Sequence, residues 1–328
     1  MKEKTMNILI TSAGRRVSLV KAFQKELKKV NAKAQVIATD SNPVLAAACH
    51  VADAHFQVPR LNAPNYIEKL IEQCKLWHIG LVIPTIDTEL FLLSKNRELL
   101  EKNQIQVLIS SSEFIEKCRD KRIIHEFFTS KGIAVAREYP KNDFPIPMFI
   151  KPSDGSRSVN TFLITSKDEL KEHHFSNDKM MFLEYLDHKS YDEYTCDLYY
   201  SKEHFLKCAV PRKRLETRDG EVSKGLTRRN ALVPYLQKHL GYIEGAVGCL
   251  TAQFFVNNKN ESDIYGIEIN PRFGGGYPLS YLANANFPKW IIQEYLLHQK
   301  IEDQFASWED NLLMIRYDDE ILVHGYQG

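Results

Sequence analysis

Tyr265-Gly-Ile-Glu-Ile-Asn-Pro-Arg272 is the stretch that decides the fold. As a β-strand it sends Glu268 and Asn270 to one face and Ile267 and Ile269 to the other, toward a core. One face then carries a carboxylate and an amide oxygen together. Such hard donors suit Mg²⁺, which takes a few protein oxygens and completes its shell from nucleotide phosphates. The apolar run Ala252-Gln-Phe-Phe-Val-Asn-Asn258 comes just before it across the polar turn Asn257 to Asp263, so the pair reads as an antiparallel hairpin. Gln253 adds a third oxygen donor. Alone, the strand is equally a solvated face followed by a proline turn; three oxygen donors converging on one hairpin weigh toward metal.

Upstream, Phe149-Ile-Lys151-Pro-Ser-Asp-Gly155-Ser156-Arg-Ser places a lysine at a strand end before a small-residue loop able to point backbone N–H groups at an anion. Phosphate oxygens fit Lys151, Gly155 and Ser156, although no G-x-x-x-x-G-K-[ST] loop occurs and an ordinary hairpin turn reads as well. Met181-Phe-Leu-Glu184-Tyr185-Leu186 is an apolar strand with one acid, followed by Asp192 and Glu193. It is either a plain core strand or one wall of an apolar slot for a flat purine.

From Met6 to about Ser112, β-rich runs (NILITSA, AQVIATD, GLVIPT, IQVLIS) alternate with amphipathic stretches at Val17 to Val30, Tyr66 to Trp77 and Thr88 to Asn103, the pattern of parallel βαβ units. Ser111 or Ser112 caps a further helix that Gly132 closes. Tyr139 to Pro147 reads as a linker into a small α+β lid, with strands MFIKPS, NTFLIT and KMMFLEYL and a short helix at Lys167 to His174. Strands EYTCDLYY and HFLKCAVP come next, then a basic loop from Arg212 to Arg229 and a helix from Val233 to about Leu250. A helix from Pro288 to Gln299 and a last hairpin within Asn311 to Gly328 finish the chain.

At 328 residues and 44% hydrophobic content the chain can bury a sizeable core. Lys plus Arg (43) balance Asp plus Glu (42), so no global positive field holds a nucleic acid or an anionic membrane. The six cysteines are scattered, without zinc spacing, and read as free thiols in a reducing compartment. With no signal-peptide core and no membrane-length apolar run, the expected address is the cytoplasm.

These motifs, in this order, resemble the ATP-grasp enzymes, and within them one synthetase unit of the carbamoyl-phosphate synthase large subunit. The resemblance implies an α/β chain: a doubly wound, parallel-sheet pre-ATP-grasp domain (1–112), a two-lobed α+β ATP-grasp domain (113–300, lid about 146–190), and a C-terminal extension (301–328) packed on it. It implies ATP with Mg²⁺, or Mn²⁺ in its place, held by Gln253, Glu268 and Asn270. Lys121 and Lys151 would contact phosphates, Glu184, Tyr185 and Leu186 would meet adenine, and Glu193 would hold the ribose hydroxyls. Arg272 would steady an acyl phosphate, so Arg272 and Lys151 are the expected catalytic residues. The implied reaction joins a small carboxylate to ammonia or an amine with release of ADP and phosphate; family members are often dimers, so a homodimer is one expectation, with the oligomeric state left open. A single synthetase unit, without the second half, cannot complete carbamoyl phosphate synthesis in the same way.

Two other classes compete. A non-catalytic ATP-binding regulatory module would keep the same lysines and acids. An NAD(P)-dependent oxidoreductase would use Gly14 and Asp40, but Thr11-Ser-Ala-Gly14-Arg15-Arg16-Val lacks the further glycines of that fingerprint, so Gly14 and Asp40 more simply tighten strand ends, with Arg15 or Arg16 toward substrate. Asp87 or Thr88 caps a helix or faces ligand. The basic loop either closes over an anionic substrate or is solvated. Phe-Gly-Gly-Gly-Tyr-Pro after Arg272 either shapes an acceptor pocket or is a connector.

Overall fold

The computed structural model describes residues 6–155, 159–218 and 220–326. Its N-terminal part alternates β1 (Asn7–Thr11), α1 (Val17–Val30), β2 (Val36–Asp40), α2 (Ala47–Val51), β3 (Ala54–Gln57), α3 (Tyr66–Leu76), β4 (Ile79–Pro84), α4 (Asp87–Lys95), α5 (Arg97–Lys102) and β5 (Gln106–Val107). The strands form a parallel sheet in the order β3-β2-β1-β4-β5. Ile8, Ile10, Val36 and Ala38 pack against α1 and α2 on one face. Leu9, Ile37 and Val82 pack against α3, α4 and α5 on the other. Apolar residues on both faces are what a doubly covered parallel sheet requires.

Two differences from the expected elements have local causes. The edge strand β3, Ala54-His-Phe-Gln57, is polar and half exposed, so it carries no apolar run to announce it. The helix expected over Thr88 to Asn103 is two helices, broken at Asn96.

Next come α6 (Ser112–Arg119) and α7 (Lys121–Ser130). Ser111 caps the first by accepting from the Phe114 N–H at 3.2 Å, and Asp120 caps the second by accepting from the Arg122 N–H at 2.8 Å. The chain therefore turns between them and Lys121 becomes the first residue of a new helix. After Gly132, whose φ is +74°, β6 (Ala134–Val135) joins the largest sheet.

The lid is a four-stranded sheet built from β7 (Glu138–Tyr139), β8 (Met148–Pro152), β9 (Phe162–Ile164) and β10 (Met180–Glu184), with the short α8 (Glu172–Ser176) before β10; its order is β7-β10-β8-β9. Met148, Ile150, Ile164, Met180 and Phe182 form a core of its own. The lid sheet thus begins at Glu138, taking in Tyr139 at the start of the stretch expected to be a linker.

The third sheet contains β11 (Tyr191–Tyr200), β12 (Leu206–Arg218), β13 (Glu221–Thr227), then, after α9 (Leu232–Leu240), β14 (Gly248–Asn257) and β15 (Ile264–Asn270). Helices α10 (Tyr277–Leu282) and α11 (Phe287–Ile291) follow, the latter running on as a π-helical turn to Leu296, short of the expected Gln299, and β16 (Leu313–Ile315) closes the order β16-β13-β12-β11-β14-β15-β6. Three expectations are corrected. The basic segment is a long hairpin of β12 and β13 rather than a loop. The helix begun near Val233 ends at Leu240, because Gly241, Gly245 and Gly248 follow; Gly248 has φ +72° and its missing Cβ leaves room for Leu108. The C-terminal stretch adds one strand to β13 instead of forming a hairpin.

One hydrophobic core runs unbroken from Ile8 and Val36 of the first sheet to Tyr199 of the third and Phe287 and Trp290 of α11. Among the described residues no helix is long and apolar enough to cross a membrane, and all six cysteines are free.

Candidate active site

Across the β14/β15 pairing, Gln253 stands opposite Glu268 and Thr251 opposite Asn270. On the other side Thr195 of β11 stands opposite Gln253. Residues opposite one another share a face, so Thr195, Gln253 and Glu268 form a row across three strands on the wall of a cleft of about 890 Å³. Asn270, two residues beyond Glu268, lies on the same wall and donates its Nδ2 to Glu268 Oε1 at 2.9 Å. Ile269 enters the core as its alternation requires; Ile267 is only half-buried and lines the cleft.

Helix α7 sits on β15 through a glycine. A Cβ on Gly266 would lie 2.6 Å from the Phe128 ring, so only a bare backbone allows this approach. The approach brings Lys121, at the start of α7, to 3.6 Å from Glu268 Oε2. Lys121 also donates its backbone N–H to Ser153 O at 2.8 Å and its Nζ to Gly155 O at 2.5 Å, fastening the helix to the lid loop. Lys151, at the end of β8, faces the same wall. Burial pulls its ammonium down to about 8; Glu268 opposes the shift and Lys121 adds to it. Burial, with both lysines, also pulls His125 down to about 4, and its Nε2 has no partner among the described residues. Ser156 lies outside the described residues.

At the lid end, Glu184, Tyr185 and Leu186 line the cleft beside Phe149 and Leu183. Backbone bonds between Glu184 N and Arg137 O (2.8 Å) and from Arg137 N to Glu184 Oε2 (3.3 Å) hold the strand end in place. Glu193 also lines the cleft, paired with Arg214. The basic hairpin is largely partnered: Lys213 with Asp192 (2.6 Å), Lys224 with Glu216 (2.7 Å), Arg218 with Asp318, and Arg229 with the carbonyls of Phe305 and Trp308. Arg212 and Arg214 face the cleft, and the other charges decorate strands and seams.

The opposite end is built around Arg272, whose Nη2 pairs with Asp87 Oδ2 at 2.7 Å. Asp87 opens α4 without a side-chain cap bond, so between capping and facing the site it does the second. Beneath lies a feature not anticipated from the sequence. Arg212, 1% exposed, is bidentate on the fully buried Asp197 (2.7 and 3.1 Å), which also accepts from Ser280 Oγ at 2.5 Å. Gly274, Gly275 and Gly276 pass so close that Cβ atoms there would strike Thr251, Glu221 and Arg212. The triglycine run lines the cleft and leads directly into α10. Asp40 accepts from the backbone N–H of Gly14 (3.3 Å) and Asn42 (3.1 Å), tightening the strand end.

The donor set can be tested against magnesium. Among the described residues no group of three His, Cys, Asp or Glu gathers into a cage. One carboxylate and two amides suit an ion that draws most of its ligands from phosphates, and two lysines line the same cleft. The residues present fit.

Two family models match the chain: residues 8–108 match the PylC-like N-terminal domain, and residues 176–316 match ATP-grasp in the biosynthetic pathway with Ter operon. Biotin carboxylase from Campylobacter jejuni, in a β,γ-ATP complex, superposes with a TM-score of 0.70 at 15% identity over 94% of this chain and 74% of that one. The chain has the ATP-grasp fold. N5-carboxyaminoimidazole synthetase from Staphylococcus aureus, complexed with ADP, shares this ATP-grasp architecture at TM-score 0.67 and 16% identity over 91% and 79% of the two chains. So does L-amino acid ligase from Bacillus licheniformis, at 0.64 and 14% over 90% and 75%. No curated protein matches the chain by sequence. The parallel-sheet domain followed by an ATP-grasp domain is the order expected from the sequence.

Proposed function

We propose that this protein is an ATP- and Mg²⁺-dependent ligase that joins a small carboxylate to ammonia or an amine through an acyl phosphate. The observation carrying the reading is that Lys121, Lys151, Gln253, Glu268 and Asn270, drawn from four elements, line a single cleft, with Arg272 at its far end. Carboxylate oxygen is a poor leaving group. Its attack on the γ-phosphorus, with departure of ADP, makes it the bridging oxygen of a mixed anhydride, the acyl phosphate. The amine nitrogen then attacks the acyl carbon, phosphate leaves with that oxygen, and the nitrogen loses a proton.

Such phosphoryl transfer needs positioned charge more than covalent help. Lys121 and Lys151 supply fixed cations on the phosphates, and the end of β10 at Glu184, Tyr185 and Leu186 seats the base, with Glu193 at the ribose. Gln253, Glu268 and Asn270 would hold the metal, which would supply positive charge against the phosphates. Arg272, oriented by Asp87, steadies the acyl phosphate. The lid sheet excludes water that would waste the intermediate. The finer assignment, a carbamoyl-phosphate-synthase-like pairing of acid and nitrogen donor, rests on the resemblance of the Gln253-Phe and Glu268-x-Asn270-Pro-Arg272 motifs. The charge balance favours neither nucleic acid nor membrane as a partner.

The test is a matrix of small carboxylates and amines with ATP and Mg²⁺, read by phosphate release. One pair is expected to raise release above background, and Glu268→Ala or Asn270→Ala to abolish that increment while leaving the circular dichroism spectrum unchanged. Nucleotide binding with no acceptor-dependent release from any pair would replace the ligase with a regulatory ATP-binding module.

A further inference from the structure

The end of the cleft away from the lid concentrates positive charge from distant parts of the chain. Arg15 and Arg16 come from the turn after β1 and Arg272 from the end of β15, and all three line the cleft. Arg316, just past β16, braces it from behind, holding Glu221 at 3.2 Å and the Gly275 carbonyl at 3.0 Å. Two carboxylates answer these four arginines: Asp87 is engaged by Arg272, and Glu221 by Arg316 and, at 3.9 Å, by Arg15. Arg16 is different. It is half-buried, makes no ion pair within 4.0 Å among the described residues, and has one long bond, 3.5 Å, from Nη2 to the Thr85 carbonyl. Its charge is felt by Arg272, Glu221, Arg316 and Asp87, so it stands in their midst, and burial with Arg272 pulls it down to about 10. Arg16 attracts Glu221 only from beyond ion-pair distance, and Glu221 is already held by Arg316, so no carboxylate among the described residues accepts from the Arg16 guanidinium; it is suited to an anion that arrives.

We infer that the acid used by this enzyme carries a second anionic group, which Arg16, flanked by Arg15, receives while the reacting carboxylate rests on Arg272. The substrate class is a small dianionic acid, with a carboxylate or a phosphoryl group at its second end. This rests on the ligase reading for the reacting end. Arg316 is a positioning residue: it touches Glu221 and the triglycine backbone, setting the width of the pocket.

The experiment measures binding of succinate, 3-phosphonopropionate and butyrate by calorimetry to the full chain saturated with ADP and Mg²⁺. At least one of the first two is expected to bind about tenfold or more tightly than butyrate, the worth of one charge-assisted hydrogen bond. Which of them wins tells a carboxylate end from a phosphoryl end. Arg16→Gln should bring the winner to within about threefold of butyrate, with ADP affinity unchanged as the check on folding, and Arg16→Lys should recover part of the preference. Equal binding of all three acids by the wild-type protein, or an undiminished preference in Arg16→Gln, overturns the inference whatever the variants' stability. Acceptor-dependent phosphate release alongside equal binding would leave the ligase reading standing and remove only this one; a dianion preference without turnover would do the reverse.

Discussion

Lys151 gives the most exposed prediction. Burial brings its ammonium down to about 8, against the attraction of Glu268, Glu193 and Glu138 and with the help of Lys121. The sign follows: a lysine lowered to that value is charged below about pH 8 and neutral above it. About nine-tenths of the free protein then carries the charge at pH 7 and about one-tenth at pH 9. If Lys151 grips a phosphate, kcat/KM for ATP, which reports the free enzyme, should fall about tenfold between those pH values. The bound phosphates favour the ammonium form, so the corresponding limb in kcat should lie at higher pH or vanish from the accessible range. Arginine stays charged throughout, so Lys151→Arg should flatten the alkaline limb of kcat/KM, and Lys151→Met should give a low value with no limb. Steady-state phosphate release over pH 6.5 to 9.5 at constant ionic strength reads all three. A flat wild-type profile, or a limb that survives in Lys151→Met, refutes the assignment of Lys151 to the phosphates.

Removing Asp197 leaves Arg212 buried without its counter-ion, so Asp197→Ala should lose about 3–5 kcal/mol in urea denaturation, and Asp197→Ala with Arg212→Met should regain much of it. A loss under about 1 kcal/mol would show the pair to be of no structural weight. Gly266→Ala forces a Cβ to within 2.6 Å of the buried Phe128 ring; it should cost about 1–3 kcal/mol and weaken nucleotide binding by shifting Lys121, both measurable on one preparation. With one carboxylate in the donor set, Mg²⁺ alone should leave the melting temperature unmoved, while Mg²⁺ with ADP should raise it above ADP alone; stabilisation by the ion alone would point to a cage the donor set does not supply.

Much of this was legible because the informative signals are local. Alternation along Tyr265 to Arg272 puts Glu268 and Asn270 on one face, and the 3.6-residue spacing of Val17 to Val30 appears as a helix with those same ends. What escaped was non-local or overlooked. Lys213 and Arg214 read as loop charges because their partners, Asp192 and Glu193, lie on a strand that only tertiary pairing brings alongside. Asp197 gave a signal, a lone acid inside the apolar run Tyr194 to Tyr200, which a buried strand tolerates only with a partner. Asp120 in Arg-Asp-Lys was likewise a visible helix cap, and the glycines at 241, 245 and 248 were a visible stop for α9. Arg316 could not have been placed, since no nearby periodicity ties it to Glu221.

The separate core of the four-stranded sheet divides the labour between the two ends of the cleft. The arginine end is cast in one piece with the main body, through packing that continues from Val36 to Trp290. The end proposed for the nucleotide borrows a wall that answers only to itself. Amide exchange should therefore slow in Met148 to Glu184 when ADP binds and hardly respond to the acid, so the two substrates leave different footprints on one molecule.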